Sequence, residues 1–164
     1  MVPPMPNRLL TIIALVVVLA VAGLAAVFWP TDEGDAAVRL NPSDAAIVAR
    51  GQEVYKTSCA ACHGDRLQGQ ENWRQRDVDG LLPAPPHDAS GHTWHHPDAV
   101  LFALTKYGPQ GVVGGEYRSA MPGFEDVLSD ADILAALSYI KSTWPAENRA
   151  RHDDINAQYD AETR

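Results

Sequence analysis

The sequence predicts an all-α domain of a few short helices and long loops, preceded by one transmembrane helix. An uncharged, apolar run covers residues 9–29. Three later segments repeat apolar side chains every three or four residues, which is the period of an α-helix, and no segment alternates as a strand does. Between these segments the chain is rich in Gly, Pro, Asp and His and keeps no period, which is typical of loops.

The apolar run, LLTIIALVVVLAVAGLAAVFW, is long enough to cross a bilayer. Its 21 residues, rising about 1.5 Å each, cover a hydrocarbon layer of about 30 Å. A cleaved secretory signal is the alternative, because residues 20–22 are small enough for a cleavage site. The run continues past that site to Phe28 and Trp29, which suit a membrane interface and favour an uncleaved anchor.

The distribution of charge predicts the orientation of this anchor. Arg8 precedes the run, and residues 30–164 carry the other 12 basic side chains and all 21 acidic ones. Basic flanks stay in the cytoplasm, so residues 1–8 form a cytoplasmic tail and the large part lies in the periplasm, held at the inner membrane by a single pass. With a formal net charge of −9, that part is not expected to bind nucleic acid or anionic lipid.

After the anchor the sequence predicts a tether at 30–42, a folded domain at 43–145 and a polar tail at 146–164. The tether is rich in Pro, Gly and Asp. The first helix of the domain should begin after Ser43 as N-cap and end at the cysteines. The tail is expected to be an exposed helix or to have no fixed structure.

Two more helices follow in the domain. HPDAVLFALTKYG has Pro97 in its first turn and Gly108 as its stop, and LSDADILAALSYIKSTW has Ser129 as N-cap and Pro145 as its end. Three short helices and such long loops are too little to fill a compact domain. The sequence therefore predicts that something other than protein occupies its centre.

The segment TSCAACHGDR contains both cysteines of the chain, Cys59 and Cys62, and His63 follows directly. A structural zinc site needs a second pair of ligands that is not evident, and a thioredoxin-like pair follows a strand, whereas a helix leads into this one. A disulfide would leave His63 unexplained. The pattern favours covalent attachment of one haem, with both thiols bonded to its vinyl groups and His63 bound to the iron.

Several segments together resemble the class I c-type cytochromes over residues 43–145. They are CAACHG, the preceding Gly51 and Tyr55, the later SAMPGF and the closing LSDADILAALSYIKS. The resemblance implies the cytochrome c fold around one covalent haem c. It also implies that the first and last helices of the domain cross, with Gly51 and Tyr55 meeting Ala136 and Tyr139.

The resemblance also implies the remaining haem ligand. Met1 and Met5 precede the anchor, so Met121 is the methionine available to the domain, and MPGF matches the sixth-ligand loop of the family. A proline carbonyl of the family orients the ligating histidine, and Pro85 in LPAPP is our choice, with Pro83 and Pro86 next. Iron held by His63 and Met121 has no open position, which favours electron transfer over catalysis or substrate binding.

Further loop residues are candidates on position alone. Four histidines within ten residues suggest either a copper or zinc site or a solvated loop; they are His87, His92, His95 and His96. Contacts with the haem are possible for Trp73, Trp94, Tyr117 and Arg118.

The function predicted from these features is that of a membrane-tethered periplasmic cytochrome c. It passes single electrons between redox protein partners, is not itself an enzyme and has no small-molecule substrate. One alternative is a fixed cytochrome subunit of an oxidase or dehydrogenase complex. The other is a haem-based ligand sensor, if Met121 is not a firm ligand.

Overall fold

The computed structural model describes residues 38–163, which form α-helices and one short 3₁₀-helix and contain no strand. The all-α prediction is confirmed for this part of the chain. In chain order the elements are α1 (Ala45–Ser58), α2 (Ala60–His63), the 3₁₀-helix (Thr93–His95), α3 (Asp98–Val113), α4 (Asp130–Ser142) and α5 (Ala146–Thr163).

The predicted cytoplasmic tail at 1–8, the predicted anchor at 9–29 and most of the predicted tether at 30–42 lie outside the described residues. Among residues 38–163, no helix has the length and apolarity needed to span a membrane.

Helix α1 begins one residue later than the sequence predicts. Asp44, not Ser43, is the N-cap, and its carboxylate accepts hydrogen bonds from the backbone N–H of Ala46 at 2.9 Å and of Ile47 at 3.1 Å. A carboxylate satisfies these otherwise unpaired N–H groups and also complements the positive end of the helix dipole, which a hydroxyl does not. The helix ends at Ser58, with Cys59 as its C-cap, as the sequence predicts.

Helix α3 does not stop at Gly108 as predicted. Gly108 has φ 74° and ψ 154°, a left-handed conformation that breaks the helix, but the chain turns and resumes helical geometry from Pro109 to Val113. Proline is favoured at the first position of a helix because its fixed φ suits that position and its missing N–H would have no partner there. Gly108 is therefore a kink between two helical segments.

Helices α1 and α4 form the main helix pair of the domain. Ser129 caps α4 by accepting a hydrogen bond from Asp132 N–H at 3.1 Å, which confirms the predicted start. The two helices approach so closely that a Cβ atom on Gly51 would overlap the carbonyl oxygen of Ala135 and lie 2.9 Å from Tyr139 Cβ. The nearest neighbour of Gly51 is thus Ala135 and not Ala136, while the rings of Tyr55 and Tyr139 contact at 5.6 Å between centroids.

The hydrophobic core is built from α1 to α4, the loop after the cysteines, and the chain just before α1 and just after α4. Its largest side chains, Tyr55, Ile133 and Trp144, are almost completely buried. Its members are Leu40, Tyr55, Ala60, Leu67, Leu101, Ile133, Leu137, Ile140 and Trp144.

The segment predicted as a polar tail forms α5, and two of its side chains are buried. His152 Nε2 donates a hydrogen bond to the carbonyl of His96 at 2.9 Å, and Asn156 Oδ1 accepts one from Asp98 N–H at 2.7 Å. Leu40, which precedes α1 in the chain, is also buried, and its N–H donates to Oδ2 of the same Asp98 at 3.0 Å. The folded unit therefore includes both Leu40 and α5.

We predict that Gly51→Ala lowers the free energy of unfolding by about 1–3 kcal/mol, because the new methyl group must push α1 away from α4. Urea denaturation followed by circular dichroism measures this value. The matched control is Gly111→Ala, whose Cβ would meet only Tyr107 Cβ at 3.4 Å. Equal stability of the two variants would contradict the close approach of the helices.

We also predict that Asn156→Ala lowers the free energy of unfolding by about 1–3 kcal/mol, because the buried N–H of Asp98 loses its acceptor. Gln158→Ala is the control on an exposed face of the same helix, and we expect it to change stability by less than about 0.5 kcal/mol. If both substitutions prove equally mild in thermal unfolding, α5 is not docked through Asn156.

Candidate haem site

The two cysteines and His63 lie in one helical turn. The N–H groups of Cys62 and His63 both bond to the carbonyl of Cys59, at 3.1 and 3.0 Å. Both cysteines are free thiols, with Cys59 half-buried and Cys62 exposed. Burial, together with the neighbouring Cys62, raises the pKa of Cys59 to about 11, so this side chain is a neutral thiol near pH 7.

The His63 imidazole is buried and oriented by a backbone carbonyl. Its Nδ1 lies 2.8 Å from the carbonyl oxygen of Pro85. Because a carbonyl can only accept, Nδ1 carries the hydrogen and Nε2 carries the lone pair. Burial lowers the pKa of His63, although the bond to Pro85 partly opposes this, so the ring is neutral near pH 7. A neutral imidazole with a free Nε2 is the form that binds a metal ion.

The carbonyl of Pro85 is held in place by a ladder between two loops. Gln70 N–H donates a hydrogen bond to the carbonyl of Ala84 at 2.8 Å, and Gln70 Oε1 accepts one from Ala84 N–H at the same distance. On the other side of Pro85, His87 N–H bonds to the carbonyl of Leu67 at 2.8 Å. The loop after the cysteines therefore fixes the residue that orients His63.

Met121 is half-buried in a loop that is anchored against α3. Its own N–H donates to Ser119 Oγ at 3.1 Å. Just beyond it, the N–H groups of Phe124 and Glu125 bond to the carbonyl of Lys106 at 2.9 and 3.0 Å. The chain between these bonds is irregular, so no helix fixes the direction of the Met121 thioether.

The other aromatic and basic candidates lie in different surroundings. Trp94 Nε1 is buried and has no hydrogen-bond partner within residues 38–163. Such an N–H is costly to leave unpaired, so its site suits an acceptor such as a carboxylate of a bound group. Trp73 instead stacks on His92 and Arg74, and Arg118 Nη1 bonds to the carbonyl of Asp79 at 3.1 Å.

The four clustered histidines do not share one set of neighbours, although the rings of His92 and His96 meet edge to face at 5.4 Å between centroids. His87 stacks on His63, His92 stacks on Trp73, and His95 stacks on Trp94. His96 follows the 3₁₀-helix, and its carbonyl accepts the bond from α5 described above. Over the described part of the chain, no group of three or more His, Cys, Asp or Glu side chains is arranged to hold a metal ion.

These observations meet the requirements of a covalently attached haem. The turn at 59–63 offers two thiols beside a neutral imidazole nitrogen, and Trp94 offers an unpaired donor. Two features of this site have no counterpart in the sequence pattern: the face-to-face contact of His87 with His63, and the role of Trp144, whose Nε1 donates to the carbonyl of His87 at 2.8 Å. Neither residue has a spacing that distinguishes it from ordinary loop or core residues.

Comparisons with known proteins agree on the kind of domain. The family model for cytochrome c matches residues 48–144, more than half of the chain. The chain is 35% identical over 98 residues to the cbb3-type cytochrome c oxidase subunit CcoP of Azospirillum sp. (strain B510), covering 60% of this chain and 29% of that protein. It is 28% identical over 103 residues to the subunit of the same name from Rhodobacter capsulatus, covering 62% of this chain and 31% of that protein. No solved structure has significant similarity to the chain.

Proposed function

The chain belongs to the cytochrome c family, and we propose from this premise that it transfers single electrons through one covalently held haem c. The single pair of cysteines in the chain supports the proposed count of one. When bound, haem c supplies an iron centre that accepts and donates one electron at a time.

In this proposal each site residue has a separate task. The thiols of Cys59 and Cys62 would hold the haem through two thioether bonds, each formed by addition of S–H across one vinyl group. His63 would hold the iron through Nε2, and Met121 would supply a second ligand through its thioether. The carbonyl of Pro85 keeps the hydrogen on Nδ1 of His63 and so keeps Nε2 available.

One observation supports the proposal more strongly than the others do. The bond from His63 Nδ1 to Pro85 O leaves Nε2 neutral, with a lone pair free to bind a metal ion. The free thiols of Cys62 and Cys59 lie one and four residues earlier in the chain. A redox-active pair of cysteines would not need this imidazole, and a zinc site would need further ligands, which the described residues do not group here. Covalent haem attachment uses all three side chains at once.

The relatives favour a fixed place in a complex over a freely diffusing carrier. Both relatives described above are named as subunits of cbb3-type cytochrome c oxidase. The chain spans about three tenths of their length, so the likeness concerns one part of those proteins. We propose that this domain delivers electrons within, or directly to, a membrane oxidase complex.

We propose the inner membrane as the location, with the haem domain in the periplasm. The support is the apolar run at 9–29 and the single basic side chain before it. A membrane anchor would raise the local concentration of the domain near a membrane partner without any new contact. The acidic soluble part suits basic patches on that partner, which would act mainly on the rate of encounter.

We predict that the double substitution Cys59→Ala and Cys62→Ala leaves no haem with the polypeptide after acid–acetone extraction, because both thioether bonds are lost. Haem retention is measured by absorption of the extracted protein. Ser58→Ala, next to the motif, is the matched control and should retain all of its haem. Retention in the double variant would contradict covalent attachment through these two residues.

We predict that Met121→Ala abolishes the weak far-red absorption band of a sulfur-to-ferric-iron bond and makes the reduced protein bind carbon monoxide. The reason is that the substitution opens one position of the iron. Val127→Ala is the control, because Val127 is 71% exposed in the same loop region. A wild-type protein without the band, or one that binds carbon monoxide rapidly, would favour the ligand-sensor alternative instead.

The two electron-transfer candidates are separated by extraction from native membranes in mild detergent. A fixed subunit should migrate on native gels with larger haem-containing partners, and stay with them at 0.5 M salt, an ionic strength that screens surface charge contacts over about 4 Å. A tethered carrier should migrate alone. If the protein migrates without partners at low salt, the fixed-subunit proposal is wrong.

A further inference from the structure

His87 lies face to face with His63. The centroids of the two rings are 3.9 Å apart and their planes differ by 22°. This contact is on the flank of the His63 ring, away from the line between its Nε2 and any bound metal. His87 is therefore beside the ligating imidazole and is not placed to bind the same iron from the opposite side.

Three different segments hold the His87 residue in this position. Its N–H donates to the carbonyl of Leu67 and its own carbonyl accepts from Trp144 Nε1, both at 2.8 Å. Its ring nitrogen Nδ1 is 2.9 Å from Thr93 Oγ1. The edge of the Tyr55 ring closes a further side, at 6.2 Å between centroids. Backbone and ring are thus both fixed, which is more than a solvated loop residue requires.

The hydrogen bond to Pro85 does not by itself fix the plane of His63. Hydrogen bonds to a carbonyl oxygen tolerate a broad range of directions, so the imidazole can tilt while Nδ1 keeps its partner. A flat ring in van der Waals contact with one face removes that tilt.

We propose that His87 is a positioning residue that sets the plane of the His63 imidazole on the haem iron. This inference rests on the proposed function. The plane of an axial imidazole, together with the orientation of the other axial ligand, decides which iron orbital holds the unpaired electron of the ferric state, and so how spin density is shared among the haem methyl groups. Neighbours of a metal ligand act in this way by orienting it.

The test compares His87→Leu with His87→Phe in the oxidised holoprotein. Leucine fills much of the space but presents no flat face, whereas phenylalanine restores one. We expect His87→Leu to change the order or spread of the haem-methyl proton shifts and to shift the reduction potential, and His87→Phe to return both toward the wild type. His92→Leu is the matched control, because His92 stacks on Trp73 and not on His63; it should leave the methyl pattern unchanged.

A methyl pattern that is the same in His87→Leu and wild type would overturn the proposal, and so would a His87→Phe pattern as altered as that of His87→Leu. If the leucine variant does not fold, Thr93→Val removes the partner of His87 Nδ1 and should give a smaller change of the same kind. The reduced wild type offers a test without substitution: ring protons of His63 and His87 should show a nuclear Overhauser effect, and its absence overturns the contact. Loss of haem from the wild type on acid–acetone extraction would instead contradict the proposed function, independently of His87.

Discussion

The close approach of α1 and α4 at Gly51 is the constraint on which the site depends. The C-terminal end of α1 leads directly into Cys59 and the turn that carries His63, while the C-terminal end of α4 leads to Trp144. Trp144 in turn holds the carbonyl of His87, which stacks on His63. The backbone of His63 and the ring that packs on its face are thus both connected to one helix pair, and a side chain at Gly51 would move them relative to each other.

The long loops are ordered by hydrogen bonds between loops and not by a sheet. The carbonyl of Leu67 accepts bonds from the N–H groups of His87 and Asp88, and Gln70 pairs with Ala84 through both backbone and side chain. Tyr55 OH adds a bond from α1 to the carbonyl of Gly64 at 2.9 Å. Few apolar side chains are needed for such loops, which fits the proposed binding of a large apolar cofactor by this domain.

Features with a local physical cause could be predicted from the sequence. The period of α1 and α4, the cap at Ser129 and the end of α1 at the cysteines depend on neighbouring residues. The exact cap at Asp44 and the resumption of α3 after Gly108 could not be predicted, because two adjacent residues can both cap a helix and because glycine followed by proline can end a helix or kink it. The stacking of His87 on His63 depends on tertiary contacts that no spacing encodes.

The docking of α5 could not be predicted from the sequence, because its buried residues are polar and polar residues give no apolar period. Each of these polar side chains has a hydrogen-bond partner, and the donors and acceptors form one consistent set. The carbonyl of His96 can only accept, so His152 Nε2 carries the hydrogen and Nδ1 can accept from Asn156 Nδ2 at 3.4 Å, which leaves Asn156 Oδ1 for Asp98 N–H. Burial, followed by the nearby Lys141, lowers the pKa of His152, which keeps the ring in the neutral form that this arrangement needs. Since the His152 ring also meets the edge of Trp144, the last helix supports the residue that holds His87 in place.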